Sequence, residues 1–148
     1  MTKARLLAAF TAVLILMSVP LLAHHGTGIS YDNSKYIKTK ATVTDFSFAN
    51  PHVRIFFDTT DEQGKVTKWS GEMANPAQFQ RAGWSKRRCE RELQPGTQID
   101  VTFYVSRAQE QLPEGVGAAL VVRMFNAKGE QIGLDRGGAG APPRGGGE

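Results

Sequence analysis

Apolar and polar residues alternate along most of the chain, and a period of two predicts strands rather than helices. The segment Asn50-Pro51-His52-Val53-Arg54-Ile55-Phe56-Phe57-Asp58 shows the pattern most clearly. Proline fixes its own backbone and pushes Asn50 out of the helical region, so the chain enters His52 extended. Val53, Ile55 and Phe57 then share one face, because successive side chains on a strand point to opposite sides. His52, Arg54 and Asp58 share the other, with Phe56 the apolar exception among them. One face builds a core; the other turns a histidine and charges toward solvent.

The alternation predicts a first strand over residues 36–48. Ile37, Thr39, Ala41 and Val43 keep one phase, and Phe46 and Phe48 take the other. A slip of one residue would turn the core face outward, so a β-bulge is expected near Thr44-Asp45. The second strand covers residues 52–59. After the polar turn Asp61-Glu62-Gln63-Gly64 a third covers residues 66–73, making a hairpin with Thr67, Trp69, Gly71 and Met73 on one side. Asn75-Pro76 breaks the pattern with a helix-capping residue and a proline at the first helical position. A short helix follows, with Phe79 and Ala82 toward the core and Gly83 as its stop. Residues 83–92 read as a charged connector with Trp84 as its apolar anchor. Beyond the Pro95-Gly96 turn, a fourth strand spans residues 98–106 with Ile99, Val101, Phe103 and Val105 inward. A fifth spans residues 118–126 with Leu120, Val122 and Met124 on one face, and residues 131–134 suit a short edge strand.

Three strands, one short helix and two more strands is the order of an oligonucleotide/oligosaccharide-binding (OB) barrel. The fold class expected is therefore all-β with one short helix, an OB-like small barrel of five to six strands. Five bent strands can close over one core and remove most free edges. An open β-sandwich is the alternative.

The ends of the chain change the picture. Lys3 and Arg5 precede an apolar run over residues 6–19, interrupted by Thr11 and Ser18 and ended by Pro20. This is the plan of a secretory signal, with cleavage expected after Ala23; a retained anchor is the competing reading. The remainder then lies in the periplasm or outside the cell. His24, not cysteine, follows Ala23, which argues against a lipidated terminus. The divisions read from sequence are a signal peptide over 1–23, an extended lead-in over 24–35, the barrel over 36–134 and a glycine- and proline-rich disordered tail over 135–148. Within the lead-in, Ile29 and Tyr31 can dock on the body. The leader carries two of the 18 basic residues and none of the 14 acidic ones, so removing it lowers the net charge from +4 to +2. That removes the charge argument for nucleic-acid binding. Cys89 is the single cysteine, so no internal disulfide forms. The cations of Lys86-Arg87-Arg88 would lower its pKa and activate it, whereas the simpler reading is an incidental thiol on a solvated loop.

Candidate chemistry centres on the three histidines. Cleavage after Ala23 would place the free α-amine, with a reference pKa of about 8, beside the imidazole of His24. His25 adds a second ring, and His52 a third if the lead-in folds back toward the second strand. Amine and imidazole nitrogens suit Cu(II), which stands highest in the divalent first-row affinity order. Such a terminus resembles the histidine brace of some copper proteins. The plain alternative is that His24 and His25 are solvated and His52 caps a strand. Met73 and Met124 would be soft ligands, but strand phase points both inward. Asn50, Pro51, Arg54, Phe56, Trp69, Glu72 and Trp84 form the candidate binding surface, and Glu72 with Asp58 the candidate acid pair.

Taken together, Ala23-His24-His25, Tyr31-Asp32, Asn50-Pro51-His52, Trp69 with Glu72-Met73, Gly83-Trp84 and Pro95-Gly96 resemble an uncharacterised family of small exported bacterial proteins, domain of unknown function 6152. The resemblance runs over residues 24–134. Its members have a shorter segment before the Pro-Gly turn, so residues 86–92 and Cys89 take no family role. It implies a bacterial, periplasmic, β-barrel-like domain and brings no activity, substrate or catalytic residue. The functional expectation is a non-enzymatic periplasmic binding or accessory protein, with copper or another divalent metal at His24, His25 and His52. The alternative is a metal-free interaction module that shows Phe56 and Trp84 to an envelope protein. A copper oxidase, or a hydrolase using Glu72, ranks third.

Overall fold

The computed structural model describes residues 30–137. Its strands are β1 (Tyr31–Ser47), β2 (Arg54–Thr60), β3 (Val66–Glu72), β4 (Gln98–Ser106), β5 (Val116–Asn126) and β6 (Gln131–Ile132). They run in the order β3-β2-β1-β4-β5-β6, and a further pairing of β3 with β5 closes the first five into a barrel. The closing pair is parallel and the remaining pairs are antiparallel. This is the expected OB-like architecture.

Closure depends on β1, which pairs with β2 through one part of its length and with β4 through another. The bend between these duties falls at the expected bulge, where the register to β2 shifts between Val43 and Asp45. Val43, Ile55, Phe57, Ile99, Val101, Phe103, Val121 and Met124 fill the interior. Trp69 lies against them, stacked on Phe57 at 6.3 Å and tilted on Phe103 at 4.7 Å. Its indole Nε1 donates to Thr59 Oγ1 at 2.9 Å, so its one polar atom is satisfied. The ring needs glycine opposite it, since a Cβ on Gly117 would lie 2.3 Å from the indole.

Two short helices, not one, fill the connection between β3 and β4. Helix α1 (Pro76–Arg81) begins as expected, with a capping box in which Gln78 N–H donates to the Asn75 side chain and Gln78 reaches back to the Asn75 N–H. The segment read as a charged connector is a second helix, α2 (Lys86–Glu92), capped by Ser85. Its charges face solvent and its buried residue is Cys89. Phe79, Trp84, Cys89 and Leu93 together close one side of the core. The signal was present in Ser85 and in Cys89 and Leu93, four residues apart, but the charged residues on both sides of Cys89 outweighed it.

Strand β5 also departs from the expected phase. Phe103 faces Val121 and Thr102 faces Arg123, so Val122 is an extra residue in the ladder. Val121 and Met124 therefore enter the barrel, while Leu120 and Val122 turn outward and pack with Tyr31 and Tyr104 in a second, smaller cluster. Regular alternation cannot reveal a bulge inside a run where every residue is apolar.

The boundaries shift at both ends. Strand β1 starts at Tyr31, inside the segment read as lead-in. After β6 the chain recrosses the outside of β5, where Arg136 N–H donates to the Val122 carbonyl at 2.8 Å. Asp135, placed in the tail by composition, lies 3.4 Å from Arg123 with both side chains largely buried. Ile29, the signal segment, the cleavage position, His24, His25 and residues 138–148 lie outside the described residues. Among the described residues, no helix is long and apolar enough to cross a membrane.

Candidate functional site

The outer face of the barrel gathers polar side chains beside the second cluster. Arg54, Glu72 and Leu120 are direct neighbours across β2, β3 and β5, and Tyr104 continues the row on β4. His52 precedes β2, held there because Val53 exchanges backbone hydrogen bonds with the end of the hairpin: its N–H donates to Ala74, and its carbonyl accepts from Met73. The buried Val53 fixes the strand phase, and its neighbours His52 and Arg54 must then point outward.

The site's central contact joins His52 to Glu72. Imidazole Nδ1 lies 2.6 Å from Glu72 Oε1. A carboxylate oxygen can only accept, so a hydrogen bond across this contact would require the proton on Nδ1. The second carboxylate oxygen is also engaged, because the Tyr31 hydroxyl donates to Glu72 Oε2 at 3.1 Å. Tyr31 and His52 thus approach the two oxygens of one carboxylate, the first by a hydrogen bond and the second as an ion-pair contact. The carboxylate is mostly covered, at 21% side-chain exposure, while the imidazole is open at 42%.

Electrostatics agree with that geometry. Burial, then the charge of Glu72, then the hydrogen bond to it push the Tyr31 hydroxyl up to about 12, so it remains a donor at neutral pH. Arg136 reaches the same place from the C-terminal segment. Burial lowers its pKa, and Glu72 and Tyr31 oppose that shift. Arg54 and Arg136 both act on Tyr31 in the opposite sense to Glu72. One partly covered carboxylate is therefore hydrogen-bonded by a phenol, with the Arg54 and Arg136 guanidinium groups nearby.

The remaining sequence candidates separate. Asn50 and Pro51 are exposed in the loop between β1 and β2, joined by a cis peptide bond. Arg54 is exposed and Phe56 half-buried on the outer face. Trp69 is half-buried and packs against the core, and Trp84 lies in the core with the Arg88 guanidinium 3.8 Å above its ring. An exposed face shared by Phe56 and Trp84 is therefore not formed. Asp58 faces Lys68 four rungs along the hairpin from Glu72, so the two acids do not pair. Met73 and Met124 are buried. Cys89 lies fully buried, and burial drives its thiol up to about 11 despite the pull of Arg88. Among the described residues, no three His, Cys, Asp or Glu side chains converge to hold a metal ion.

Two members of the cluster escaped the sequence reading in these roles. Tyr31 was legible as a docking residue but not as the partner of Glu72. Arg136 was hidden by the glycine-rich composition around it. No spacing rule links positions 31, 52, 72 and 136, which meet only because the barrel closes.

A model of a family of unknown function, DUF6152, matches residues 12–114. The match takes in β1 to β4 and both helices and stops before β5. The chain belongs to this family. No curated protein matches it.

Proposed function

For this member of the DUF6152 family, we propose an exported binding or accessory protein that takes Cu(II), or a similar divalent transition metal, through His52 and the histidines at positions 24 and 25. The contact of His52 Nδ1 with Glu72 carries the reading. Metal-bound histidines commonly donate their other ring N–H to a carboxylate, which fixes the tautomer and raises the basicity of the ligating nitrogen. Here the carboxylate is in place and the imidazole is half-exposed, with Nε2 turned away from it. A single histidine does not make a site, so further ligands must come from elsewhere in the chain. His24 and His25 supply them if the signal is removed after Ala23, with the new α-amine of His24 as a third nitrogen.

The attachment of the N-terminal segment supports the same reading. Tyr31 is tied to the carboxylate that holds His52, and seven positions separate it from His24. An extended chain of that length spans at most about 25 Å, enough to return to a neighbouring side chain. Both oxygens of Glu72 are already engaged, so its role is to orient rather than to act as a free hydrolytic base.

The test uses intact mass to identify the first residue of protein recovered from the cell envelope, then calorimetry with Cu(II). Protein beginning at His24 should bind one ion; an added N-terminal residue and His52→Ala should each weaken binding at least 10-fold. Equal affinity for the extended form would remove the terminal amine from the site, and equal affinity for His52→Ala would remove His52. Absence of binding by all three forms would overturn the reading.

A second reading is a metal-free interaction module. An open groove of about 400 Å³ on the outside of the hairpin is lined by Phe56, Asp58, Lys68 and Val116, and Val66 and Val116 are unusually exposed for their type. Retention of an envelope partner by wild-type protein but not by Phe56→Ser would favour it.

A further inference from the structure

We infer that the open edge of β1 is a docking site for an extended segment of another protein, one in which acidic and apolar residues alternate. The inference uses neither His52 nor any metal, and loss of the metal reading leaves it standing. Strand β1 pairs with β4 from Tyr36 to Thr42, but its pairing with β2 begins only at Thr42, opposite Asp58. Strand β2 runs on to Thr60 beside β3, so β1 and β2 part. From Tyr36 to Lys40, β1 then has no neighbour on that side among the described residues. Its backbone phase follows from Val43, whose N–H donates to Thr97 and whose carbonyl accepts from Gly96, just before β4. Successive residues of a strand turn their backbone groups to opposite edges, so Ala41, Thr39 and Ile37 also bond toward β4. Tyr36, Lys38 and Lys40 therefore direct their N–H and C=O groups at the open edge. There the Lys40 carbonyl is met by the Thr39 hydroxyl at 3.3 Å rather than by a strand.

The side chains beside that edge set what can pair with it. Ile37 and Thr39 stand opposite Phe103 and Val101, on the core side of β1, past the point where β2 leaves it. Ile37 is 38% exposed as a result and lines an open groove of about 420 Å³ with Val105. The groove also holds Asp32, Arg107 and Glu110, charges of both signs. Tyr36, Lys38 and Lys40 are exposed on the outer side. Lys40 lies 3.3 Å from Asp100, whereas no acid pairs with Lys38 among the described residues. The residues of an added antiparallel strand lie directly beside those of β1 and on the same faces. Those next to Lys38 and Lys40 should be acidic, and the alternate ones, beside Ile37 and the groove, apolar. Lysine on an edge discourages pairing in general, and a second copy paired across Lys38 would set lysine against lysine. An acidic strand is the one that the same lysines attract.

The experiment titrates metal-free, ¹⁵N-labelled protein, as purified from cells, with a short peptide in which Glu and Val alternate. Amide shifts should centre on Tyr36, Ile37, Lys38 and Lys40, and binding should weaken as salt is added. Lys38→Glu should weaken it about 10-fold, because one cross-strand attraction becomes a repulsion. A peptide alternating Lys and Val should not bind. Two methylated peptides separate strand pairing from simple charge attraction. Methylating the Glu amide nitrogens removes the donors that face β1 and should abolish binding; methylating the Val amides, which face away, should leave it intact. Equal binding by both methylated peptides overturns the inference, as do shifts confined to the groove at Phe56 or no binding by any peptide. A dimer of the free protein with these β1 amides protected from exchange gives the edge to a second copy and overturns it too. Should Lys38→Glu fail to fold, the two methylated peptides on wild type decide.

Discussion

Cys89 and His52 occupy similar settings in the chain and opposite ones in space. Each is a ligand-forming side chain within two residues of an arginine. On α2, Cys89 points into the barrel with Phe79, Trp84 and Leu93, while its charged neighbours remain outside. Burial outweighs the nearby Arg88, and the thiol is held up at about 11. His52 lies on the solvent side of a buried valine, with one ring nitrogen engaged and the ring half open. Neighbours in sequence did not set the chemistry of either group. The direction of the side chain relative to the core set both.

The comparison breaks or sharpens at several points, the largest first. Phe79→Ala would open a cavity on the packed side and should cost about 3–5 kcal/mol in denaturant unfolding. If the two regions are separate, the ¹⁵N signals of His52 should stay in place in the fraction that remains folded. Cys89→Ser replaces a buried thiol by a hydroxyl with no apolar equivalent and should cost about 1–3 kcal/mol. In wild type, that thiol should react with iodoacetamide only at the rate of unfolding; rapid labelling of the native protein would contradict its burial. Asn75→Ala removes half of the capping box of α1 and should cost about 1 kcal/mol, seen as a lower denaturant midpoint with an unchanged slope.

A pH dependence is shared by both regions. Tyr31 and Cys89 have raised pKa values in the folded protein, to about 12 and about 11. Their unfolded counterparts lose protons first, so each contribution to stability is complete below its ordinary pKa and fades as pH rises through the folded value. Unfolding free energy should therefore decline from about pH 9 toward pH 12. Cys89→Ala should flatten the lower part of that decline and Tyr31→Phe the upper part. A decline of the same shape in both variants would mean that other groups carry it.

Much of the barrel was legible because half-buried strands write their faces into the sequence. The alternation in β2 and β4 gave their inner faces, and the slipped phase of β1 located its bulge at Thr44-Asp45. Asn75-Pro76 gave the start of α1 for a local reason: capping is a matter between residues three apart. Where local rules were silent, the reading went astray. Helix α2 hides its buried side in Cys89 among charges, and β5 conceals a bulge at Val122, the end of an apolar run that Arg123 closes.

The candidate site was legible only as a collection of parts. Asn-Pro-His, Glu72 and Tyr31 were all visible, but the pairing assigned to Glu72 was with Asp58, an acid on the adjacent strand four rungs away. Sequence alone was enough for the strands, the inner faces of β2 and β4 and the cap of α1, because each depends on residues within a few positions of one another. Tertiary structure decided that positions 31, 52, 72 and 136 share one place, that Trp84 is a core residue with Trp69 packed against the core, and that Cys89 is shielded. Those outcomes depend on closing β3 against β5 and on the C-terminal segment recrossing β5. Contacts made by closure join residues tens of positions apart, and no periodicity along the chain encodes such a separation.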